Sequence, residues 1–367
     1  MANMMRFVTV FLIVTITSSA QGFAGVLEGV EKGACSYRFS GEIKNGDERL
    51  FDQIVFDRLR SAEGGSGLCL SSEGGSFDAA LKIAQLLIEN GGFPTHVLEN
   101  DKCLSACAFI FMAGRDCGGE CDLGLSVARE IAPGATVGFH APYLNLTEEA
   151  GDTFDRKTVQ AAYGVALSQI SRLMAFTDER LQGVPVIPPR FLERILAVGP
   201  KQILTIDTIS DAIESGIDIR LTNYPLKLND DQILHVCDNL MLSHYVDAGY
   251  VGVRELYHEA VLSKRKITVR KQNEGQNIFV VDGYPNHEDA TISTKSCTIH
   301  EEINIESSFG SDFALTGFLY NSDPNPVVNN SLKPADVESL LSSVPSWYMF
   351  EGKELYRDAG FRARALI

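Results

Sequence analysis

The chain has 367 residues, of which 45% are hydrophobic and 22% are charged, and its formal net charge is −16. This composition supports folded cores rather than disorder, and the negative charge argues against general binding to nucleic-acid phosphates. Because a single core seldom grows much past about 250 residues, the length predicts two domains.

The N-terminus has the pattern of a secretory signal peptide. Arg6 precedes an apolar run at 7–16, and small residues follow up to Ala20. The run is too short to span a bilayer comfortably, so we expect cleavage near Ala20 rather than an uncleaved membrane anchor. The sequence therefore predicts a secreted or periplasmic protein with a signal peptide at 1–20 and no transmembrane segment after cleavage.

The first half of the chain alternates strand-like and helix-like segments. After a first strand near Tyr37, the predicted elements are strand 68–71, helix 76–90, strand 94–99, helix 105–113 and strand 135–139. Such alternation is typical of a parallel sheet with crossover helices, so the expected fold class is α/β. A long amphipathic helix is predicted over 155–180, and a shorter helix over 191–197.

From about residue 226 the pattern changes to that of a smaller α+β module. Strands are predicted at 267–269, 278–281, 290–292 and 314–320, between helical stretches at 230–262 and 334–347. We therefore expect residues 226–367 to form a separate C-terminal α+β module.

Eight cysteines in a chain with an export signal predict disulfides. Cys117 and Cys121 lie in a glycine-bent loop that could close on itself. Cys237 and Cys297 are the only cysteines of the C-terminal region, so we expect them to pair.

Cys103 and Cys107 are four residues apart, which is one helical turn and a less suitable geometry for a bridge. The alternative is a zinc site, for which the four candidate ligands would be Cys103, Cys107, Cys117 and Cys121. A metal there would crowd the serine between the first two cysteines, so no metal is expected.

Three short motifs in the first half carry candidate chemistry. Gly74-Gly75 stands between an apolar run and a helical pattern, which predicts a turn whose backbone N–H groups face a ligand. Ser105 opens a predicted buried helix, and His140 ends a predicted strand. A serine hydroxyl becomes nucleophilic when a histidine takes its proton. The alternatives are that Ser105 is a helix N-cap and that His140 is a buried residue bonded to backbone.

Residues 36–220 resemble the ClpP/crotonase superfamily, in particular the proteolytic subunit of the Clp protease. That family carries a Ser-Pro-Gly-Gly turn before a helix, a serine opening a buried helix, and a strand ending in His-x-Pro. The matching segments here are Ser72-Glu73-Gly74-Gly75, Ser105-Ala106 and His140-Ala141-Pro142. The resemblance implies stacked βαβ units around a parallel sheet, and the segment 207–218 is similar to the family's last helix.

The resemblance also implies site roles. Ser105 would be the nucleophile and His140 its base, while the N–H groups of Gly75 and Ala106 would form the oxyanion hole and Gly74 would contact substrate. A third residue is needed to orient His140. Asp207 is the first choice because it precedes the family-like last helix, and Asp211 is the second. Either aspartate could instead be an ordinary helix N-cap.

The sequence favours an exported serine peptidase or related hydrolase that acts on peptide or other acyl bonds without a cofactor. Its expected partners are peptide or unfolded protein substrates, not nucleic acid, and further copies of itself in a homo-oligomer. The main alternative is a non-catalytic protein of the same fold that binds peptides beside Gly74-Gly75. Crotonase-type chemistry on a coenzyme A thioester is a third reading, which an extra-cytoplasmic location disfavours.

Overall fold

The structure is a computed structural model. It describes residues 25–30, 35–52, 67–90, 92–116, 126–142, 155–178, 180–181, 184–199, 202–220, 229–247, 265–273, 276–285, 294–302, 315–321 and 343–344. The predicted signal peptide, the loop of Cys117 and Cys121, and the predicted strand 290–292 lie outside these residues.

Residues up to 220 form short strands that alternate with helices. The strands are β1 (Val26–Gly29), β2 (Tyr37–Ser40), β3 (Leu68–Ser71), β4 (Thr95–Val97), β5 (Lys102–Leu104), β6 (Arg115–Asp116), β7 (Ser126–Val127), β8 (Arg129–Ile131), β9 (Thr136–Phe139), β10 (Arg180–Leu181), β11 (Val184–Pro185), β12 (Leu204–Thr205) and β13 (Asp218–Ile219). The helices are α1 (Phe77–Glu89), α2 (Ala106–Met112), α3 (Arg156–Asp178), α4 (Pro189–Ala197) and α5 (Ile209–Ser215).

Two sheets organise this part of the chain. The larger has the order β1-β2-β3-β4-β8-β13, in which every pair after β1–β2 is parallel. The smaller has the order β12-β9-β5, with β5 parallel and β12 antiparallel to β9. Parallel neighbours require crossover connections, which α1 and the other helices supply. The predicted mixed α/β class with parallel strands is confirmed.

Helices α1 and α2 bury their apolar faces between these strands. Ser76 caps α1 by accepting a hydrogen bond from the Ala79 N–H. All seven residues of α2 are buried, so this short helix is part of the core and its position is fixed by packing. Phe109 of α2 makes edge-to-face contacts with Phe77 and Phe139, which join α1, α2 and β9.

The long helix predicted at 155–180 is present as α3, but its apolar face is only partly buried. Leu173 lies in the core, and Arg172 forms an ion pair with Asp78 of α1. In contrast, Val159 is 54% exposed and Tyr163 is 66% exposed. Helix α3 therefore contacts the domain around Arg172 and Leu173, while Val159 and Tyr163 in its N-terminal half and Met174 beyond the contact are largely exposed.

The C-terminal region consists of a helix and an antiparallel sheet. Its elements are α6 (Asp230–Asp247), β14 (Lys266–Asn273), β15 (Gln276–Pro285), β16 (Thr294–Glu302), β17 (Leu315–Asn321) and β18 (Ser343–Val344), and the strands pair in this order. Helix α6 packs against α5 and against the sheet. The prediction of helix at 334–347 is wrong at β18, which pairs with β17.

Three disulfides cross-link the described residues, in which no cysteine is free. They are Cys35–Cys69, Cys103–Cys107 and the predicted Cys237–Cys297. The expectation that Cys103 and Cys107 have unsuitable geometry is wrong, because Cys103 lies in β5 and not on the helix. Three disulfides fit a secreted or extracellular protein. Among the described helices, none has the length and apolarity needed to cross a bilayer.

Arg129 is buried and joins the ends of two helices. Its guanidinium donates hydrogen bonds to the carbonyls of Met112 at the end of α2, Ser215 and Gly216 at the end of α5, and Val186. A cation is favourable at a helix C-terminus, where carbonyls lack helical partners. Burial and the nearby charge of Arg115 lower the pKa of Arg129 well below its usual value, and the charge of Asp218 opposes this shift.

We expect Arg129→Met to destabilise the fold, because it leaves four buried carbonyls without their donor. The loss in the free energy of unfolding should reach about 3 kcal/mol or more. Arg220→Ala is the control, since it removes an ion pair with Glu130 at 2.5 Å on a partly exposed side chain and should cost under about 1 kcal/mol. Urea unfolding of both variants measures the difference, and equal losses would contradict this role.

Candidate active site

The site lies where three chain segments end side by side. These segments follow β3, β5 and β9, and backbone hydrogen bonds join each to its neighbour. Ser72, just after β3, pairs with Cys103 of β5 through Ser72 N–H to Lys102 O at 2.7 Å and Leu104 N–H to Ser72 O at 2.9 Å. Leu104 in turn pairs with Gly138 of β9. One to three residues beyond these pairings, the three segments reach Gly74-Gly75, Ser105 and His140. Parallel pairing thus brings the three predicted motifs to one edge.

Ser105 forms a strained turn between β5 and α2. Its φ of 56° and ψ of −123° are unusual for a residue with a side chain. The Ser105 N–H donates to the Gly138 carbonyl at 2.8 Å, which ties the turn to β9. The Ser105 side chain makes no cap hydrogen bond with the helix. The N-cap explanation therefore does not account for this serine, whose hydroxyl is left for another use.

Gly74 and Gly75 occupy positions that need glycine. Their φ values are 110° and 140°, a region that L side chains rarely adopt. A Cβ on Gly74 would lie 2.7 Å from the Ser105 Cβ, and one on Gly75 would lie 2.1 Å from the Ile43 carbonyl oxygen. The Gly74 N–H donates to the Ser72 hydroxyl at 3.1 Å, which fixes the turn. The glycine turn thus lies in contact with Ser105.

Two backbone N–H groups beside Ser105 remain available. The bridge between Ile43 and Gly75 uses the N–H groups of Ile43 and Ser76 and leaves the Gly75 N–H out. Ala106 is the first residue of α2, where an N–H has no helical partner. Among the described residues, neither the Gly75 nor the Ala106 N–H donates a hydrogen bond to a protein atom. Ala106 is buried and Gly75 is exposed, and the unpaired N–H groups at both positions leave a place for a ligand oxygen.

His140 follows β9 and is partly buried. Its Nδ1 lies 2.8 Å from the carbonyl oxygen of Ala141. A carbonyl can only accept, so this contact requires the proton on Nδ1 and leaves Nε2 with the lone pair. The imidazole is therefore held in the tautomer that a general base needs.

Ser105, His140 and Gly75 line one cleft of about 860 Å³. The remaining lining mixes apolar and polar residues and comprises Glu42, Asn45, Glu73, Ser76, Phe77, Asp78, Leu104, Phe109, Pro142, Gln169 and Ile203. Three of these residues are carboxylates, and none of the lining residues is a lysine or an arginine. Hydrogen bonds from Lys82 and Arg172 lower the pKa of Asp78, so this carboxyl stays charged. Glu42 and Glu73 likewise pair with Lys44 and Lys102, so each carboxylate of the cleft has a cationic partner beside it.

The register of β12 separates Asp207 from His140 along the sheet. Strand β12 runs antiparallel to β9 and pairs Thr205 with Gly138, so Asp207 continues away from His140. Extending this register places Asp207 opposite Thr136, about 13 Å along the strand from His140. The Asp207 carboxylate accepts a hydrogen bond from the Thr205 hydroxyl at 2.5 Å.

Asp211, the second choice, has a structural role. It forms a capping box with Thr208 at the start of α5 and an ion pair with Arg194 at 2.7 Å. Burial alone would raise the pKa of Asp211, but hydrogen bonds from Arg194 and Thr208 and the guanidinium charge lower it overall. The N-cap of α5 is Thr208, and Asp211 is the third helical residue of the capping box, so its carboxylate serves the helix start and the ion pair.

Two features of the site were not found from the sequence. Strand β5 has only three residues, too few to show a period, and its pairing with Ser72 has no local signal. The contact of His140 with the Ala141 carbonyl depends on backbone geometry, which a residue pattern does not reveal.

Comparison with known proteins adds little to this geometry. No family model matches the sequence, and no curated protein matches it either. Among solved structures, a mutant of the 1510-N membrane-bound stomatin-specific protease aligns with 50% of this chain and 77% of its own chain, at 14% identity and a TM-score of 0.32. Similarity at this level carries no argument about function, so the site must be judged from its own residues.

Gly74→Ala should destabilise the protein more than Gly46→Ala, which imposes similar backbone strain without a steric clash. Gly46 has a φ of 103°, close to the 110° of Gly74, but a Cβ on Gly46 would meet nothing within 4 Å. We expect Gly74→Ala to cost about 2 kcal/mol more than Gly46→Ala, because it adds a clash with Ser105 to the strain. Thermal unfolding of the two variants tests this, and equal losses would show that the turn is not packed on Ser105.

Replacing Ser105 by glycine should relieve the strained turn. We expect Ser105→Gly to be more stable than Ser105→Ala by about 1 kcal/mol, because glycine adopts a positive φ freely and this gain exceeds its entropy cost in the unfolded chain. Both variants lack the hydroxyl, so their difference in urea unfolding isolates the backbone strain. If Ser105→Gly is less stable than Ser105→Ala, the turn at Ser105 does not carry the proposed backbone strain.

Asp211 should make stability depend on acid pH. Because its folded pKa is lowered from 3.8, its contribution is fully present above the unfolded value and is lost as the pH falls through the folded one. We expect Asp211→Asn to be clearly less stable than the unmodified protein at pH 6, with a difference that shrinks below about pH 4. Unfolding curves at both pH values measure this, and a difference that does not change with pH would refute it.

Proposed function

We propose that this protein is an exported serine hydrolase of the peptidase type, with the ClpP/crotonase-like arrangement that its motifs suggest. The observation that carries the proposal is the turn at Ser105. Its hydroxyl takes no part in capping α2, and it lines the same cleft as His140 and the Gly75 N–H. Strained backbone and unused polar groups are typical of functional sites.

In the proposed reaction, Ser105 attacks an acyl carbonyl while His140 removes its proton. Nε2 is the ring nitrogen that takes the proton, because Nδ1 donates to the Ala141 carbonyl. That carbonyl also stabilises the imidazolium that forms. His140 then gives the proton to the leaving group, and an acyl-enzyme on Ser105 results. Water activated by the same imidazole hydrolyses this ester and releases the acid.

The N–H groups of Gly75 and Ala106 would bind the oxyanion of the tetrahedral intermediate. Neither donates to a protein atom among the described residues, and the Ala106 N–H lies at the positive end of α2. Loss of one such donor in other enzymes costs about 3 kcal/mol in the transition state. The free donors therefore supply the electrostatic part of catalysis that a serine and a histidine alone lack.

The substrate that we propose is a peptide or unfolded protein. The cleft lining includes the carboxylates of Glu42, Glu73 and Asp78 and no lysine or arginine, but each carboxylate pairs with a cation beside the cleft. The lining therefore carries little unpaired charge, and its apolar side chains, such as Phe77 and Ile203, would contact the side chains of a peptide.

The carbonyl of Ala141 takes the orienting role that the sequence assigned to Asp207. Asp207 would have to leave Thr205 and move toward the end of β9 to reach His140. A serine–histidine pair oriented by backbone needs no such movement.

A non-catalytic peptide-binding protein is the second candidate. It is favoured by one observation, which is that Ser105 makes no hydrogen bond with His140 among the contacts of the described residues. Catalytic hydrogen bonds are often loose before substrate binds, so the enzyme remains our proposal.

We also propose export with cleavage near Ala20 and self-association into a homo-oligomer. The three disulfides support export, because they require an oxidising compartment. The exposed apolar side chains of α3, such as Tyr163 and Val159, support contact with a second copy.

The test is covalent labelling of the purified mature protein with a fluorophosphonate probe. We expect one adduct, on Ser105, and the loss of more than about 99% of the labelling rate in Ser105→Ala and in His140→Ala. Combining both changes should add little, because the two residues act as a unit. Ser126→Ala, which changes an exposed serine of β7, should label as the unmodified protein does.

Asp207→Asn completes the test. If the Ala141 carbonyl orients His140, this variant should keep its labelling rate within about threefold, whereas a true triad aspartate would lower it about 10⁴-fold. If the folded protein binds peptides but is not labelled by the probe, the peptide-binding candidate replaces the enzyme.

A further inference from the structure

The disulfide Cys103–Cys107 closes around the proposed nucleophile. Cys103 is the middle residue of β5, and Cys107 is the second residue of α2, so the bond spans the turn that contains Ser105. Both cysteines are fully buried. No other cross-link in the described residues lies within so short a segment, since the other two join residues 34 and 60 positions apart.

This placement is poorly suited to stabilising the chain as a whole. A disulfide restricts the unfolded chain less as the loop that it closes becomes shorter, and this one joins residues only 4 positions apart. Cys35–Cys69 and Cys237–Cys297 close much longer loops and can stabilise the fold more. The short bond must therefore be judged by what it fixes locally.

What it fixes is the geometry between β5 and α2. The β5 side of the turn is already held by the Ser72 pairing and by the Gly138 carbonyl. The α2 side contributes the Ala106 N–H, whose direction depends on how the helix leaves the strand. A bond from Cys103 to Cys107 links both sides, so the strained φ of Ser105 cannot relax by a rotation of the first turn of α2.

We propose that the Cys103–Cys107 disulfide is a positioning element for the nucleophile. It touches no substrate and acts through Ser105 and Ala106, because it holds the hydroxyl and the oxyanion N–H in one geometry. This inference rests on the proposed function of Ser105. It predicts that the cross-link affects the chemical step and leaves ground-state binding in the cleft unchanged.

The test compares Cys103→Ala/Cys107→Ala with Cys35→Ala/Cys69→Ala, which removes another disulfide of the same domain. For each, the rate of fluorophosphonate labelling is measured against probe concentration, which separates kinact from Ki. We expect the Cys103/Cys107 variant to lower kinact about 10- to 100-fold, as small misplacements of reacting groups do, with Ki within about threefold. The Cys35/Cys69 variant should lower the melting temperature more and keep kinact within about threefold.

Circular dichroism checks that each variant is folded at the assay temperature, and Cys103→Ser/Cys107→Ser serves as a second variant if the alanine pair does not fold. Equal kinact values for the folded Cys103/Cys107 variant and the unmodified protein would overturn the positioning role while leaving the nucleophile intact. A change confined to Ki would overturn it as well. If the unmodified protein is not labelled on Ser105, the proposed function fails and this inference fails with it.

Discussion

The candidate site depends on one backbone constraint, which is the turn at Ser105 between β5 and α2. A residue with a side chain is held there at a φ of 56°, at a cost of about 1–3 kcal/mol. The hydrogen bond to the Gly138 carbonyl, the pairing with Ser72 and the buried helix α2 hold it in place. Because of this turn, the hydroxyl is excluded from the helix cap. An ordinary N-cap serine would instead accept a hydrogen bond from an N–H of the first helical turn.

The rest of the fold keeps this turn in position. Parallel pairing brings the ends of β3, β5 and β9 together, and the glycine turn passes so close to Ser105 that Gly74 has no room for a Cβ. Behind the site, Arg129 ties the far end of α2 to the end of α5 through buried carbonyls. The short helix that carries the nucleophile is therefore fixed at both ends, by a strained turn at one and a buried guanidinium at the other.

The sequence predicted the parts of the site that have local causes. Gly74-Gly75 between an apolar run and a helical pattern predicted a turn, and β3, α1, α2 and β9 were predicted within two residues of their bounds. What it missed depends on contacts between distant segments. The disulfide of Cys103 and Cys107 was misjudged because β5 was not recognised, so their four-residue spacing was treated as one helical turn. Asp207 was chosen from its place before a helix, but the register of β12 decides where it lies.

The most direct measurement is a crystal structure of the mature protein after reaction with a fluorophosphonate. We expect a covalent bond to Ser105 Oγ and a phosphoryl oxygen within about 3 Å of the N–H groups of Gly75 and Ala106, with His140 Nε2 directed at the adduct. A protein that forms no adduct, or an adduct whose phosphoryl oxygen points away from both N–H groups, would contradict this expectation.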